Sequence, residues 1–264
     1  MITPKHNSQD GKAKRNVNRR EFIAGAGAAL SFTIMKPDLV RGSAANSKIA
    51  LGLVGCGGRG SWIADLFMKH GGYQVVAGAD YFQDRVDEFG SKFNVPAERR
   101  HTGLACYKKL LEGKVDAMAI ESPPYFHPAQ AATAVDAGVH VYLAKPVAVD
   151  MPGCRSIEES GRKATEKKLC YLVDFQTRTD PFYQEAVKRV QGGQIGRIVC
   201  GEATYIAGDP FTRHAAQLLA DPENAERQLR AWGLSRALSG DIITEQNIHS
   251  LDVMSWILDQ APLR

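Results

Sequence analysis

The sequence has few cysteines, and their arrangement excludes a recognisable metal site. None of the five cysteines forms a Cys-x-x-Cys pair and no His/Cys cluster has zinc spacing, so we expect no metal. Cys56, Cys170 and Cys200 lie in or beside apolar runs typical of strands, which predicts that they are buried as small hydrophobic residues. A disulfide is the alternative, but the odd number and irregular spacing of the cysteines give it little support.

The sequence also lacks a run of about 20 strongly apolar residues, the length that a membrane-spanning helix needs. It lacks a strong excess of charge as well, because residues 1–47 have a net charge of +5 and the remainder has −1. A basic surface for nucleic acid is therefore excluded, and no such partner is expected. With 264 residues, 44% of them hydrophobic, the chain can bury a core without disulfides.

The first 47 residues have the layout of an export signal. Residues 1–20 are polar and basic, residues 24–35 are apolar and rich in Gly and Ala, and residues 43–45 are small enough for a cleavage site. The Arg19-Arg20 pair resembles a twin-arginine signal, which implies the export machinery as a partner and a periplasmic or otherwise exported location. A disordered tail with a chance arginine pair and an uncleaved membrane anchor are the alternatives.

A glycine-rich segment indicates a dinucleotide-binding fold. It lies between Ile49–Val54, predicted to be a buried strand, and Ser61–His70, which has the apolar spacing of a helix. Its G-x-G-x-x-G motif consists of Gly55, Cys56, Gly57, Gly58, Arg59 and Gly60. Gly55 permits a tight turn, Gly57 leaves room for a pyrophosphate, and Gly60 lets helix and strand pack closely. The phosphates would lie at the helix N-terminus, where free N–H groups favour an anion. A tight turn without a ligand is the alternative.

Asp80 is the candidate contact to the adenosine ribose. It follows the apolar run Tyr73–Ala79 and lies twenty residues after Gly60. An acidic residue at this place can accept hydrogen bonds from both ribose hydroxyls, and its charge disfavours a 2′-phosphate. NAD is therefore the expected cofactor, and NADP is disfavoured. A plain strand-end or helix-cap role for Asp80 is the alternative.

Strands and helices continue to alternate after Asp80. The patterns predict helices at 82–93, 107–111, 128–137 and 154–168, and strands at 115–120, 139–143 and 170–175. The alternation predicts an α/β fold over residues 48–175, a Rossmann doubly wound parallel sheet with helices on both faces. Ligands bind beyond the carboxyl ends of such strands. Three polar segments lie at those ends, at 121–127, 144–146 and 174–178.

From about Lys48 onward, the chain resembles the Gfo/Idh/MocA oxidoreductases. The resemblance rests on the glycine loop, the Pro123-Pro124-x-x-His127 segment, the Lys145-Pro146 pair and residues 240–252. It implies an N-terminal Rossmann domain and a C-terminal α/β domain whose open sheet covers the active site. It also implies that Pro123 and His127 lie near the cofactor, with a cap or turn role as the alternative for His127.

The resemblance assigns roles to three further residues. It implies that Lys145 lies near nicotinamide and substrate, and that Pro146 follows it in a cis bond. The family usually has Glu before this pair, whereas this chain has Ala144, so that carboxylate is missing. A later family motif places an acid and a histidine four residues apart, and Glu245 and His249 match it, although the acid is more usually Asp.

The chemistry of these side chains suits hydride transfer. Residues four apart share a helix face, so Glu245 and His249 could meet one ligand. An alcohol carbon that loses a hydride needs a base for its hydroxyl proton, and histidine has a suitable pKa. Lys145 would hydrogen-bond the same oxygen and stabilise its developing negative charge. The same helix is expected to bury a stripe of apolar residues, Ile248, Leu251, Met254 and Ile257.

Each of these assignments has a structural alternative. His249 could be an ordinary helix histidine, Lys145 a solvated surface lysine, and Glu245 an acid favoured by the dipole at a helix start. Arg178 could meet substrate or cofactor, or it could form a surface ion pair.

Residues 176–264 are predicted to begin a second, incomplete α/β domain. Ile198–Ala207 is predicted to be a strand, and Phe211–Leu238 to be helical in part. One strand and two helices cannot form the second sheet that the resemblance implies. We therefore expect that a long C-terminal portion is absent, which would leave a strand edge exposed. A full-length protein could form a homo-oligomer through that sheet.

Three functions are open from the sequence. The first is an NAD-dependent oxidoreductase that transfers a hydride between a sugar or polyol hydroxyl carbon and nicotinamide. The second is a glycosidase that uses NAD in a transient redox cycle, and the third is a non-catalytic dinucleotide-binding module. The Lys145-Pro146 pair favours the first, whereas Ala144 and the short second domain motivate the third.

Overall fold

The computed structural model of the protein describes residues 48–208 and 211–260. The predicted export signal, residues 1–47, lies outside them. The described residues on both sides of the predicted boundary at 175/176 belong to one compact unit, which begins at Lys48. Within these residues, no helix is both long enough and apolar enough to cross a membrane.

Six parallel strands form the sheet of the described part of the chain. They are β1 (Ile49–Val54), β2 (Tyr73–Asp80), β3 (Arg100–Thr102), β4 (Ala117–Ile120), β5 (His140–Ala144) and β6 (Tyr171–Asp174). Their order across the sheet is β3-β2-β1-β4-β5-β6, and all neighbours are parallel. This is the doubly wound order of a Rossmann fold, with the reversal between β1 and β4. The predicted α/β fold is confirmed.

Helices cover both faces of this sheet. They are α1 (Gly58–His70), α2 (Gln83–Lys92), α3 (Cys106–Glu112), α4 (His127–Asp136) and α5 (Met151–Glu166). One apolar cluster contains residues of α3, α4 and α5, among them Leu110 and Ala131, and a second contains Ala64 of α1 and Phe89 of α2. Close packing depends on a small residue in β1, because a Cβ on Gly52 would lie 2.5 Å from Leu110.

Some details of this region differ from the sequence prediction, among them β3 and the start of α5. β3 was missed because it has only three residues and pairs at the sheet edge with β2 alone. α5 begins at Met151, three residues before the predicted start, because the Asp150 side chain accepts a hydrogen bond from the backbone N–H of Gly153 at 2.7 Å. This cap satisfies an N–H group that would otherwise have no helical partner.

The described residues after the sheet form helices joined by irregular segments and contain no strand. They form α6 (Pro181–Gln191), α7 (Thr212–Ala220), α8 (Ala225–Arg230), α9 (Arg236–Ser239), a π-helical turn (Ile243–Asn247) and α10 (Ile248–Leu258). The predicted strand at Ile198–Ala207 is wrong, because this segment has no regular structure and is mostly exposed. No strand of the described sheet pairs with it, so its backbone lacks the ladder hydrogen bonds that a strand requires.

The five cysteines are all unbridged. Cys56 is buried at the end of β1, as predicted. The prediction of burial is wrong for Cys170 and Cys200, which are exposed. Cys170 precedes the edge strand β6, and Cys200 lies in the exposed segment after α6. In the described ranges, no group of three or more His, Cys, Asp or Glu side chains could hold a metal ion.

Candidate functional site

The glycine loop joins β1 to α1 and forms one wall of a cavity. Gly55 has a φ of 92°, a conformation that residues with a side chain rarely adopt. A Cβ on Gly60 would lie 2.0 Å from the carbonyl oxygen of Gly55, so the first turn of α1 requires glycine at this position. A Cβ on Gly57 or Gly58 would meet nothing within 4 Å. The open space before these two glycines, at a helix start without an acidic residue, suits a pyrophosphate.

Asp80 attaches the glycine loop to the end of β2. Its Oδ2 accepts a hydrogen bond from the backbone N–H of Cys56 at 2.8 Å, and its Oδ1 accepts one from the backbone N–H of Phe82 at 3.0 Å. Burial raises the pKa of the Asp80 carboxyl, and the two N–H donors oppose this effect. The residue also lines the cavity, so its carboxylate has a structural role and can still accept a ligand hydroxyl.

The cavity has a volume of about 490 Å³ and lies beyond the carboxyl ends of the central strands. This size falls within the range of small-molecule sites. Asp80 lines it at the end of β2, and Lys145 lines it after the end of β5. Three strand spacings separate β2 from β5, which corresponds to roughly 14 Å. One cavity therefore connects the residues predicted for the ribose with those predicted for the nicotinamide.

Lys145 and Glu245 form a buried ion pair in this cavity. Lys145 Nζ donates hydrogen bonds to Glu245 Oε1, at 3.0 Å, and to the backbone oxygen of Glu245. The two side chains are only 7% and 11% exposed. Burial raises the pKa of Glu245, and the charge of Lys145 opposes this effect. The Lys145–Pro146 peptide bond is cis, as the resemblance implied.

His249 lines the cavity beside this pair. Its ring stacks on Tyr205, with centroids 5.6 Å apart and an angle of 23° between the planes. Burial and the charges of Lys145 and Arg59 lower the pKa of His249, so the ring is neutral at pH 7. Its Nδ1 has no hydrogen-bond partner in the described part of the chain. The imidazole is therefore available as a proton acceptor.

The backbone that carries Glu245 and His249 differs from the predicted single helix. Glu245 lies in the π-helical turn and His249 in the first turn of α10. The predicted apolar stripe is wrong: Leu251 is 43% exposed, while Glu245 and His249 are the buried residues of this segment. Three other members of the stripe are only partly buried, Ile248, Met254 and Ile257. Polar site residues face inward here because the cavity, not an apolar surface, lies opposite.

His127 lies behind the cavity lining, whereas Pro123 belongs to the lining itself. The His127 ring is fully buried, with Nε2 2.7 Å from the Ser122 carbonyl oxygen and Nδ1 2.8 Å from the Pro146 carbonyl oxygen. Burial lowers the pKa of His127 to about 4, so the ring is neutral and donates to one of the two oxygens. It connects the segment after β4 with the cis-proline, which is a positioning role.

Arg59 lies over the ends of β4 and β6, beside Glu121 and Asp174, two carboxylates from the polar segments predicted at these strand ends. Its Nε is 3.2 Å from Glu121 Oε2, and its guanidinium also forms an ion pair with Asp174. The Glu121 side chain is 0% exposed, and neither of its oxygens has an aligned hydrogen bond within the described residues. Burial raises the pKa of Glu121 to about 7. The feature of the sequence that could have identified Glu121 is its position, as an acid directly after the buried strand β4.

Arg178 lies outside the cavity lining. Its guanidinium forms a two-pronged ion pair with Asp252, at 2.8 and 2.9 Å, and lies 5.3 Å from the centre of the Trp256 ring. Of the two roles considered from the sequence, the ion pair is the one present in this structure.

Comparison with known families identifies the sheet region. The model of the Gfo/Idh/MocA oxidoreductase family, with an NAD-binding Rossmann fold, matches residues 49–175. The matched residues make up just under half of the chain. The match ends close to β6, so it includes the glycine loop, Asp80, Glu121 and Lys145 but not Glu245 or His249.

Individual relatives extend the similarity beyond the sheet. The chain is 25% identical over 216 residues to an inositol 2-dehydrogenase from Burkholderia cenocepacia, covering 80% of this chain and 55% of that protein. It is 25% identical over 209 residues to a glycosyl hydrolase family 109 protein from Solibacter usitatus, covering 74% of this chain and 46% of the relative. The chain thus spans about half the length of the curated relatives it matches.

A solved structure confirms the fold. The crystal structure of scyllo-inositol dehydrogenase from Lactobacillus casei, with bound NAD(H) and scyllo-inositol, aligns with a TM-score of 0.60 at 24% identity. The alignment covers 80% of this chain and 56% of that protein. The sheet region therefore has the Rossmann fold of the NAD-binding proteins that it matches, and its open glycine loop fits that cofactor.

Proposed function

We propose that this protein is an NAD-dependent oxidoreductase that transfers a hydride between a sugar or polyol hydroxyl carbon and nicotinamide. The observation that carries the proposal is the meeting of Lys145, Glu245 and His249 in the cavity that the glycine loop also lines. These residues come from elements 100 positions apart in sequence, so their convergence is not a consequence of local structure. The inositol dehydrogenase relatives support a polyol as substrate.

Each side chain has a definite part in this reaction. NAD, when bound, supplies the hydride acceptor. The Lys145 ammonium donates a hydrogen bond to the reacting oxygen and stabilises its negative charge. The neutral His249 ring takes the hydroxyl proton on an imidazole nitrogen. Glu245 holds the Lys145 ammonium through Oε1 and its backbone oxygen, which fixes the direction of the ammonium N–H bonds.

The experiment that tests the proposal measures NADH formed from NAD⁺ and a panel of inositols, other polyols and aldoses. We expect NADH to accumulate with at least one polyol, and we expect a His249→Asn variant to retain NAD binding and lose this activity. The His70→Gln variant, changed at the exposed end of α1, is the matched control. NAD binding without oxidation of any of these compounds would contradict the proposal and favour a non-catalytic module.

A redox-cycle glycosidase is the second candidate, favoured by the family 109 relatives. In that cycle a hydride is removed from the substrate and returned to it, so glycoside is cleaved without net NADH. Aryl glycosides separate the two candidates in one assay. Cleavage of the glycoside at constant NADH would support the glycosidase, and accumulation of NADH without cleavage would support the dehydrogenase.

We also propose that residues 1–47 direct export through the twin-arginine machinery. The proposal is supported by the Arg19-Arg20 pair, the apolar residues 24–35 and the small residues 43–45. Cell fractionation tests it. We expect the protein outside the cytoplasm, and we expect an Arg19→Lys/Arg20→Lys variant to stay inside. An unchanged distribution of that variant would contradict the proposal.

A further inference from the structure

The end of the cavity around Asp80 is covered by a segment from outside the Rossmann region. The Rossmann side of this end includes Tyr81 and Phe82, which follow Asp80 directly. The opposite side includes Leu229, Arg230 and Trp232, from the end of α8 and the turn after it. A ligand at this end of the cavity therefore lies between two pieces of the chain that are far apart in sequence.

Arg230 joins these two pieces. Its guanidinium donates two hydrogen bonds to the Asp84 carboxylate, at 2.9 and 3.1 Å, and lies 3.8 Å from the centre of the Phe82 ring. The hydrogen bonds from Arg230 lower the pKa of the Asp84 carboxyl, and the same hydrogen bonds raise the pKa of Arg230, so both groups are charged at neutral pH. A planar guanidinium can make a two-pronged ion pair and stack on a ring at once, which a lysine ammonium cannot.

A second contact joins the same two pieces. The Tyr81 hydroxyl lies 3.4 Å from Glu226 Oε1, one helical turn before Arg230 on α8. α8 has only six residues, Ala225–Arg230, so its position depends on contacts such as these more than on its own helical hydrogen bonds. Arg230 makes both an ion pair with Asp84 and a ring contact with Phe82, at the start of α2.

From this geometry we propose that Arg230 is a positioning residue that fixes α8 over the adenosine end of the cavity and thereby slows release of the dinucleotide. The inference rests on the proposed function, because it assumes that NAD lies with its adenosine ribose at Asp80 and its nicotinamide at Lys145. Release from the adenosine end requires α8 to move, and that motion breaks the contacts of Arg230 with Asp84 and Phe82. The protein then retains its cofactor between turnovers.

The experiment measures release of NADH from the folded protein. Protein loaded with NADH is mixed with excess NAD⁺, and the loss of bound-NADH fluorescence gives the dissociation rate. An exposed ion pair and a cation–ring contact together correspond to a change of about tenfold. We expect Arg230→Ala to accelerate release by about that factor and Asp84→Asn, which leaves the contact with the Phe82 ring, to accelerate it by less. We expect the double variant to release no faster than Arg230→Ala. Arg230→Lys should fall between Arg230→Ala and the unchanged protein.

The matched control is Arg227→Ala, on the same helix. The Arg227 guanidinium lies 3.7 Å from Asp221 and contacts the Gln217 carbonyl oxygen, so it does not join α8 to α2. We expect its release rate to equal that of the unchanged protein. Equal rates in Arg230→Ala and the unchanged protein, or equal acceleration in Arg227→Ala and Arg230→Ala, would overturn the inference. Failure of polyol oxidation with slow NADH release intact would instead overturn the proposed function alone.

Discussion

Lys145 and Glu245, 100 residues apart in the chain, form a buried ion pair with Nζ 3.0 Å from Oε1. The pair ties the π-helical turn before α10 to the end of β5. It also places the ammonium of Lys145 in the same cavity as the His249 ring. The proposed reaction and the local stability of this region therefore depend on the same two side chains.

The effect of the Lys145–Glu245 pair on stability can be separated from its effect on activity by comparing Lys145→Met with a double variant. Lys145→Met leaves the Glu245 carboxylate buried without its cation, and we expect it to lower the free energy of unfolding by about 3 kcal/mol. Adding Glu245→Gln removes the buried charge, so the double variant should regain most of that stability in urea denaturation. Neither variant should oxidise a polyol. A double variant as unstable as Lys145→Met, or one that is active, would contradict the role assigned to the pair.

The lowered pKa of His249 predicts the pH dependence of polyol oxidation. The ring must be neutral to accept the hydroxyl proton, and its environment keeps it neutral to a lower pH than an ordinary histidine. As pH falls, kcat/KM should therefore decline only below the usual histidine range near 6.5. His249→Asn should lower kcat by at least about 100-fold. The remaining activity of that variant should no longer show this decline as pH falls. If the same decline persists, the titrating group is not His249.

Glu121 predicts a stability that falls as pH rises. Its pKa is raised from 4.5 to about 7 in the folded protein, so between those values the folded state binds more protons than the unfolded state. The full stabilisation is present below about 4.5 and is lost as pH rises through about 7. Glu121→Gln removes this dependence. We expect it to raise the free energy of unfolding at pH 8 by at most about 3 kcal/mol, with no difference near pH 4.

The control for this titration is Glu159→Gln, which changes an exposed acid of α5. Thermal unfolding of both variants across pH 4–8 is the measurement. A stability difference for Glu121→Gln that is constant with pH would show that the carboxyl does not titrate in this range.

The glycine loop offers a matched pair of substitutions. A methyl group on Gly57 meets open space, so Gly57→Ala should change the stability of the free protein by less than about 0.5 kcal/mol. It should nevertheless weaken NAD binding, because the methyl group occupies the space proposed for the pyrophosphate. A methyl group on Gly60 would lie 2.0 Å from the Gly55 carbonyl oxygen, so Gly60→Ala should destabilise the free protein. Calorimetric NAD titration and thermal unfolding distinguish the two, and unchanged NAD affinity in Gly57→Ala would contradict the placement.

The elements that the sequence predicted well are those with strong local patterns. β1, the glycine loop and α1 follow one another as an apolar run, a G-x-G-x-x-G motif and an amphipathic stripe. Most of the run is buried and Ile63 of the stripe is buried, although Trp62 and Leu66 of the stripe are exposed. The segment at Ile198–Ala207 has equally strand-like residues such as Ile198 and Val199, but no strand of the described residues lies beside it. A strand is stabilised by its neighbours, which local sequence does not specify.

In the candidate site, too, the residues within sequence motifs were predicted, and a residue whose partner is distant in sequence was not. Lys145 and His249 were predicted from motifs, and the structure brings them into one cavity. Glu121 was not predicted, because an acid after an apolar strand is compatible with an exposed loop end as well as with a buried site. Its ion-pair partner Arg59 lies 62 positions earlier and contacts it only after the sheet has formed. An ion pair between residues this far apart in sequence can be inferred only once the order of the strands in the sheet is known.

Asp80 has a practical consequence for anyone who wishes to change the cofactor that this protein uses. Replacing the acid after β2 with a neutral residue is the obvious route toward accepting a 2′-phosphate. Here the same carboxylate anchors the backbone N–H groups of Cys56 and Phe82. Its removal would loosen the loop that must hold the pyrophosphate of either dinucleotide. Engineering for NADP would therefore have to begin by giving the loop a new anchor, before any cation is added for the extra phosphate.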